Sequence, residues 1–291
     1  MKRFFFTLAI IAVAAISAIA QNKLTKEYKF GKITSIEASS VYDIEVTQGN
    51  SGTVKVVYDE FFKDRLMVNY INGKLNLEVA STKMRNNNRN IEGIKVYLQM
   101  PTIEGLDLSG ASSLKAMGSF KTDELDVELS GASSISGLVI SGNDLSLDCS
   151  GASTLNLKGD FKTIEAEISG ASEIVLNSNS TVFEGEFSGA STVKVYGDHK
   201  NTDVVCSGAS NLTLEGKTDY IKSVTTGASN LKAQEFTALN GYAQVSGASN
   251  AKVRCTGDLK IMVGRASKLT YYGNPNIINL NTDNNIKKGD D

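Results

Sequence analysis

Apolar and polar residues alternate along most of the chain, in short runs separated by residues that favour turns. Between residues 106 and 273 these runs flank a Gly-Ala-Ser tripeptide that occurs eight times. Successive glycines of the tripeptide are 19 to 21 residues apart, at Gly110, Gly131, Gly151, Gly170, Gly189, Gly208, Gly227 and Gly247. Arg265-Ala266-Ser267 is a ninth, degenerate copy. A fixed period of this length predicts a solenoid in which each repeat forms one coil.

Most copies carry apolar residues two, four and six positions before the glycine and four and six positions after it. Around Gly170 these residues are Ile164, Ala166, Ile168, Ile174 and Leu176. A period of two indicates strands, because a helix would repeat its apolar residues every three or four positions. Each copy therefore predicts a strand, a tight corner, a second strand and a looser polar corner.

Coils of this kind stack as parallel strands about 4.8 Å apart. We therefore predict an all-β fold, a parallel β-helix or β-solenoid of about nine coils with two main sheets, right-handed by the usual crossover preference. In the corner, glycine supplies a backbone conformation that other residues avoid. We expect the small alanine to lie inside the bend and the serine hydroxyls to bond unpaired backbone groups.

The repeated serine is not typical of a nucleophile. A catalytic serine has no reason to occur in eight copies, and the chain has no G-x-S-x-G motif and a single histidine, His199. His199 lies ten positions after its glycine, where other copies have Phe120 and Phe161. It is interpreted as a loop residue that replaces an aromatic one. No catalytic residue is predicted.

Four segments follow from the pattern: 1–20, 21–105, 106–273 and 274–291. The first has a basic start, an apolar run and small residues before Gln21, as in a secretory signal peptide. The last is polar and is interpreted as a C-terminal tail. No later stretch approaches the roughly 20 apolar residues of a membrane span. We therefore expect an exported protein, located in the periplasm, at the cell surface or outside the cell.

Residues 21–105 lack the tripeptide but also alternate. Asn72-Gly73 between two alternating runs predicts a β-hairpin, and residues 38–41 resemble a degenerate corner. We interpret this segment as a β region that is continuous with the solenoid and caps it. Residues 85–90 are read as a polar loop.

The charge and the cysteines limit the possible functions. The chain has 30 basic and 32 acidic residues, a balance that is not typical of nucleic-acid binding. Three cysteines are too few for a disulfide framework. Cys149 and Cys206 occupy the same position three coils apart, about 14 Å by the strand spacing, and are predicted to be buried free thiols. Cys255 is assigned to a corner.

The positions that point outward from the two sheets differ in charge. On the sheet before the corner they hold nine carboxylates, followed by Lys222, Tyr242, Lys260 and Met262 in later coils. The carboxylates are Asp107, Asp126, Glu128, Asp148, Glu165, Glu167, Glu184, Glu186 and Asp203. On the other sheet Lys115, Lys158, Lys194, Lys232, Lys252, Arg254 and Lys268 outnumber Glu173 and Glu215. One acidic and one basic face are predicted.

Three interpretations of the acidic face stay open. It is a solvated surface, it binds a divalent cation such as calcium or a basic partner, or it pairs with the basic face of another copy. Calcium prefers clustered carboxylate oxygens, and the densest cluster is formed by Glu165, Glu167, Glu184 and Glu186. No other cofactor is predicted.

The whole combination resembles a secreted bacterial family, the auto-transporter adhesins with a head GIN domain. The likeness rests on residues 30–50 (FGKITSIEASSVYDIEVTQGN), residues 96–112 (VYLQMPTIEGLDLSGAS) and the serial corners that follow. The resemblance implies a β-helix outside the cytoplasm and a role in adhesion.

Two functions remain possible. The favoured one is a non-enzymatic adhesion, binding or structural module whose sides contact a cell-surface, glycan or protein partner. The alternative is a polysaccharide-active or acyl-transferring β-helix enzyme. An enzyme needs one coil with a distinctive set of catalytic groups, whereas the polar positions here change smoothly from coil to coil.

Overall fold

The computed structural model describes residues 14–15, 23–80, 93–280 and 285–290. Most of the predicted signal peptide and the polar segment 85–90 lie outside the described residues. The described chain consists of strands and one 3-10 turn, Glu60–Phe62. Its strands stack coil upon coil, so the predicted β-solenoid is confirmed.

The strands before the repeat region are β1 (Ala14–Ala15), β2 (Lys23–Lys29), β3 (Ser35–Ser40), β4 (Tyr42–Gln48), β5 (Thr53–Asp59), β6 (Leu66–Ile71), β7 (Lys74–Val79) and β8 (Ile94–Met100). The first half of the repeat region contains β9 (Gly105–Gly110), β10 (Ser113–Met117), β11 (Ser119–Lys121), β12 (Glu124–Leu129), β13 (Ser134–Ser141), β14 (Asp144–Cys149), β15 (Thr154–Lys158), β16 (Thr163–Ile168) and β17 (Glu173–Asn177). The second half contains β18 (Ser180–Phe187), β19 (Thr192–Tyr196), β20 (His199–Cys206), β21 (Asn211–Thr225), β22 (Asn230–Val245), β23 (Asn250–Cys255), β24 (Asp258–Val263), β25 (Lys268–Tyr272), β26 (Asn276–Asn279) and β27 (Ile286–Lys288).

Each coil contributes to two parallel sheets. The entry sheet holds the strands that lead into the Gly-Ala-Ser corner, in the order β3, β9, β12, β14, β16, β18, β20, the second halves of β21 and β22, β24 and β26. The exit sheet holds the strands that leave it, in the order β4, β10, β13, β15, β17, β19, the first halves of β21 and β22, β23, β25 and β27.

The first coil in the sequence lies inside the column rather than at its end. β3 pairs with β9 on one side and β7 on the other, and β4 lies in the same way between β10 and β8. Ser40 stands opposite Gly110 and has a φ of 135°. The degenerate copy at residues 38–41 is therefore a true corner of the solenoid.

Antiparallel strands extend both sheets at this end of the column. β6 adds to the entry sheet through β7, while β5, β2 and β1 follow β8 on the exit side. Asn72 and Gly73 join β6 to β7 with φ of 50° and 88°, so the predicted hairpin is confirmed. This arrangement covers the end of the column with strands that differ from the repeat.

A ladder of backbone hydrogen bonds holds the Gly-Ala-Ser corner. In all eight copies the alanine N–H donates to the carbonyl oxygen of the corner residue one coil earlier, at 2.7 Å. The eight glycines have φ between 66° and 74°, a conformation that side chains disfavour. The role predicted for glycine is confirmed.

The serine of the tripeptide, rather than the alanine, points into the column. Ser153, for example, is 1% exposed, whereas the preceding Ala152 is exposed. In seven corners the buried hydroxyl donates to the carbonyl three residues earlier, at 2.5–2.9 Å. The expectation that alanine lies inside is therefore wrong, because a hydroxyl satisfies a buried carbonyl that a methyl group would leave unpaired.

The second corner also stacks from coil to coil. Asn179 donates from its backbone and its side-chain amide to Asp160 Oδ1, both at 2.9 Å, and its own Oδ1 accepts from the Asp198 N–H at 2.8 Å. Next to this ladder Ser180, His199 and Thr218 are paired in successive strands. The column thus has a short third side besides the two predicted sheets.

The inner positions of the sheets form one apolar core along the column. Cys149 and Cys206 lie in this core as free thiols, and burial raises the pKa of each to about 12. Their predicted burial is confirmed. Cys255, the last residue of β23, is also a buried free thiol whose pKa is raised by burial.

Candidate functional site

The nine predicted carboxylates lie on the outer surface of the entry sheet, in two rows along the column. One row contains Asp107, Glu128, Asp148, Glu167 and Glu186, each paired with the next. The other contains Asp126, Glu165, Glu184 and Asp203, with Ser146 between the first two. Glu37 of β3 stands opposite Asp107 and adds a tenth member that the sequence reasoning missed. These ten residues are called the acidic face.

The N-terminal end of the acidic face is partly neutralised by one lysine. Lys74 Nζ contacts Glu37 Oε2 at 2.6 Å. Burial and the charge of Glu37 raise the pKa of the neighbouring Asp107, although Lys74 acts in the opposite direction. The lysine thus balances one of the two carboxylates that stand side by side here.

The other end of the acidic face is marked by an ion pair between Asp203 and Lys222, at 2.6 Å. Tyr242 and Lys260 continue the same row. Between the two ends Glu165 stands opposite Glu184, and Glu167 stands opposite Glu186. Like charges in such direct opposition repel one another.

A groove of about 1050 Å³ lies where the acidic face begins. Ser35 and Gly105 stand opposite each other in its lining. The charged lining residues are Glu104, Asp107, Asp123, Glu124, Asp126, Glu128, Lys74 and Lys121. The groove therefore carries an excess of negative charge, with six carboxylates against two lysines.

The exit sheet does not present a continuous basic face. Lys194 lies between Val175 and Thr213 in its row, and Thr213 separates it from Lys232. The guanidinium of Arg254 donates from Nε to the Gln234 carbonyl at 2.7 Å and lies over the Tyr272 ring. Uncharged residues thus interrupt the predicted basic face. Part of that surface is a ladder formed by Asn211, Asn230 and Asn250.

The calcium expectation receives no support from the side-chain arrangement. Within residues 23–80, 93–280 and 285–290, no group of three or more His, Cys, Asp or Glu side chains is arranged to hold a metal ion. The side chains of Glu165, Glu167, Glu184 and Glu186 are exposed on the outer surface of the entry sheet. We assign no metal site to it.

His199 is a core residue, so its interpretation as a loop residue is wrong. It begins β20, is 4% exposed, and stacks on Phe183 with ring centroids 5.0 Å apart. Its Nδ1 lies 2.7 Å from Ser180 Oγ, and its Nε2 has no hydrogen-bond partner among the described residues. Burial lowers its pKa to about 4, against a smaller opposing effect of Asp198. It does replace an aromatic residue, as predicted.

The buried histidine predicts a pH dependence of stability. The unfolded chain binds a proton at His199 near pH 6.5, but the folded chain binds one only near pH 4. The neutral imidazole of His199 therefore makes its full contribution to the free energy of unfolding above pH 6.5. This contribution, up to about 3 kcal/mol, is lost as the pH falls towards 4.

Urea unfolding of the wild type and of His199→Phe at several pH values measures this effect. The variant carries the phenylalanine that Phe120 and Phe161 provide at the same position of two other copies. The histidine-specific loss between pH 6.5 and 5 should disappear in the variant. Equal slopes for both proteins would contradict a buried neutral imidazole.

The sequence profile of one protein family matches two overlapping parts of the chain, residues 32–178 and 165–275. The family is described as "Putative auto-transporter adhesin, head GIN domain". The chain belongs to this family. The resemblance seen in the sequence is thus confirmed, and membership in an adhesin family suggests a protein of the cell surface or one that is exported.

Two solved structures show the same fold as this head GIN domain protein. One is described as a "putative adhesin" from Parabacteroides distasonis, with 14% identity, a TM-score of 0.57, and coverage of 92% of this chain and 97% of that chain. The other is a "Putative lipid binding protein" from the same species, with 17% identity, a TM-score of 0.51, and coverage of 93% and 98%. No curated protein matches the sequence. In the described residues, no helix is long and apolar enough to cross a membrane.

Proposed function

We propose that this chain is an exported, non-enzymatic binding protein of the cell envelope that contacts a basic partner through its acidic face. The observation that carries the proposal is the register of the ten carboxylates, which face outward on seven successive strands from β3 to β20. Family membership supports a role in adhesion.

The acidic face is long enough to engage an extended partner. Seven strands cover about 29 Å at the usual spacing. Like charges that stand opposite each other destabilise the free protein, and cationic groups of a partner would remove this repulsion. The accumulated negative potential would also accelerate the encounter with such a partner. A protein, a glycan with amino groups or another cell surface could each supply the cations.

The corner serines are used for structure, which favours binding over catalysis. Their hydroxyls are buried and bonded to backbone carbonyls in most corners, so they are not presented to a substrate. His199 is buried against Phe183. One structural neighbour is described as an adhesin and the other as lipid binding, and both descriptions fit a protein that binds without chemistry.

Two variants in which glutamates are replaced by glutamine, one on each sheet, test the role of the acidic face. The variant Glu165→Gln, Glu167→Gln, Glu184→Gln removes three charges from this face, and Glu173→Gln, Glu215→Gln, Glu235→Gln removes three exposed charges elsewhere. Binding to an immobilised polylysine surface is measured at low and moderate salt. We expect the first variant to bind at least about fivefold more weakly, since each exposed charge pair contributes roughly 0.2–1 kcal/mol.

The second variant has the same net charge as the first and should retain most of the binding. Equal losses in both would show that overall charge, rather than the acidic face, determines the interaction. Release of unsaturated products from an acidic polysaccharide would support the enzymatic alternative. Protection of the protein from protease added to intact cells would place it in the periplasm rather than at the surface.

A further inference from the structure

The charge of the solenoid reverses along its axis. Residues 105–210 contain 15 acidic and 6 basic residues, whereas residues 211–280 contain 4 acidic and 8 basic residues. Strand pairing runs in sequence order over this whole region. The last coils therefore form a basic end of the column, next to its acidic middle.

Exposed apolar side chains occur at the same basic end. Met262, Ile278 and Leu280 are 37%, 36% and 49% exposed. Lys260 stands opposite Ile278 on the neighbouring strand, and the Leu280 N–H donates to the Ile261 carbonyl at 2.9 Å, which places Leu280 beside Met262. Tyr242 precedes Lys260 in the same row. We call these five outward residues the terminal patch.

The terminal patch occupies the positions that hold carboxylates in earlier coils. Tyr242 and Lys260 continue the row of Glu165, Glu184 and Asp203. The terminal coil of a solenoid normally needs a polar outer surface for solubility. Adjacent exposed Met, Ile and Leu side chains at that end are therefore an indication of an interaction surface.

We propose that the terminal patch docks on the surface of an anionic lipid membrane. The apolar side chains would enter the boundary between headgroups and acyl chains, and exposed lysines would pair with the headgroups. Lys268, on the exit sheet of the same end, is exposed and adds to the positive charge. The acidic middle of the column is repelled by the same membrane, so the column is oriented with its basic end towards the lipid.

Other occupants fit the terminal patch less well. A second copy that offered its acidic face would place carboxylates against Met262, Ile278 and Leu280, and the loss of their hydration would cost free energy. An anionic polysaccharide would use the lysines but would leave the aliphatic side chains without partners. A membrane is the occupant that uses both kinds of group.

Flotation with lipid vesicles tests the proposal on the full mature chain. Wild-type protein should bind vesicles that contain phosphatidylglycerol and not vesicles of phosphatidylcholine alone. Lys260→Glu, Lys268→Glu should reduce the partition coefficient at least about tenfold, because each basic residue near such a surface contributes about 1 kcal/mol. The variant Met262→Ser, Ile278→Ser, Leu280→Ser should reduce it to a similar degree.

Matched controls come from the other half of the column. Lys115→Glu, Lys121→Glu changes the net charge equally, and Met67→Ser, Ile71→Ser, Met117→Ser removes three apolar side chains that are 38%, 62% and 38% exposed. Both controls should bind vesicles as the wild type does. Circular dichroism and the unfolding midpoint establish that each variant is folded.

Two results would overturn the proposal: no binding of the wild type to anionic vesicles, whether or not it binds heparin, or equal losses of vesicle binding in the control variants. The outcome is separable from that of the acidic face. Glu165→Gln, Glu167→Gln, Glu184→Gln should retain vesicle binding even where polylysine binding is lost.

Discussion

Gly170→Ala is expected to lower the free energy of unfolding by about 2–5 kcal/mol. The φ of Gly170 is 66°, and a side chain in this region costs about 1–2 kcal/mol. An added Cβ would also lie 2.4 Å from the Gly151 carbonyl oxygen, which accepts the Ala171 N–H. Forcing the two coils apart adds about 1–3 kcal/mol.

The ninth corner provides the control for this prediction. Gly264 is not among the described residues with positive φ, and a Cβ there would meet its neighbours at 3.6 Å, an ordinary contact distance. Gly264→Ala should change the stability by less than about 0.5 kcal/mol. Urea unfolding followed by circular dichroism measures both variants. A small effect at Gly170 would mean that the stacked corner is not the constrained element described above.

Phe187→Ala is expected to cost about 3–5 kcal/mol, the usual range for an aromatic residue lost from a core. Phe187 is 1% exposed, and its ring covers Gly185, where an added Cβ would lie 2.4 Å from the ring. Gly185→Ala should therefore destabilise by overpacking, by about 1–3 kcal/mol.

The double variant Gly185→Ala, Phe187→Ala tests whether the cost of Gly185→Ala comes from its contact with the Phe187 ring. With the ring removed, the methyl group of Gly185→Ala has free space, so the two changes should couple by more than about 0.5 kcal/mol. Unfolding of the four proteins in urea gives this coupling energy. Additive losses would contradict the contact between the ring and the glycine.

The repeated part of the chain could be predicted in detail because the same pattern of residues recurs in each coil. The position of Gly170, the alternation around it and the outward carboxylates such as Glu165 all follow from one alignment on the corner glycines. The structure places them in the same register. Within the Gly-Ala-Ser corner, the choice of the inward side chain was wrong, because size was given more weight than the unpaired carbonyl that Ser172 satisfies.

The start of the column could not be predicted from the same pattern. Ser40 replaces the glycine of its corner. Before β9 stacks on β3, the chain forms β5, which pairs antiparallel with β2, and the antiparallel hairpin of β6 and β7. This order depends on long-range pairing, which leaves no local signal. Aligning Ser40 with the corner glycines would have identified Glu37 as a member of the acidic face.

His199 shows how a polar residue type misleads a sequence prediction. A histidine at the second corner suggests exposure, but the equivalent positions of other coils point inward and its ring stacks on Phe183. The continuity of the basic face was also overestimated, since counting lysines ignores the neutral residues that separate Lys194 from Lys232.

Distances between spin labels on the exposed corner alanines test the stacking on which both proposed surfaces depend. Pairs of cysteines replace Ala132 with Ala171, Ala209 or Ala248, in a background without Cys149, Cys206 and Cys255. These pairs are two, four and six coils apart, so the label distances should increase by about 9.6 Å from one pair to the next. Distances that do not increase in this order would contradict a column of stacked coils.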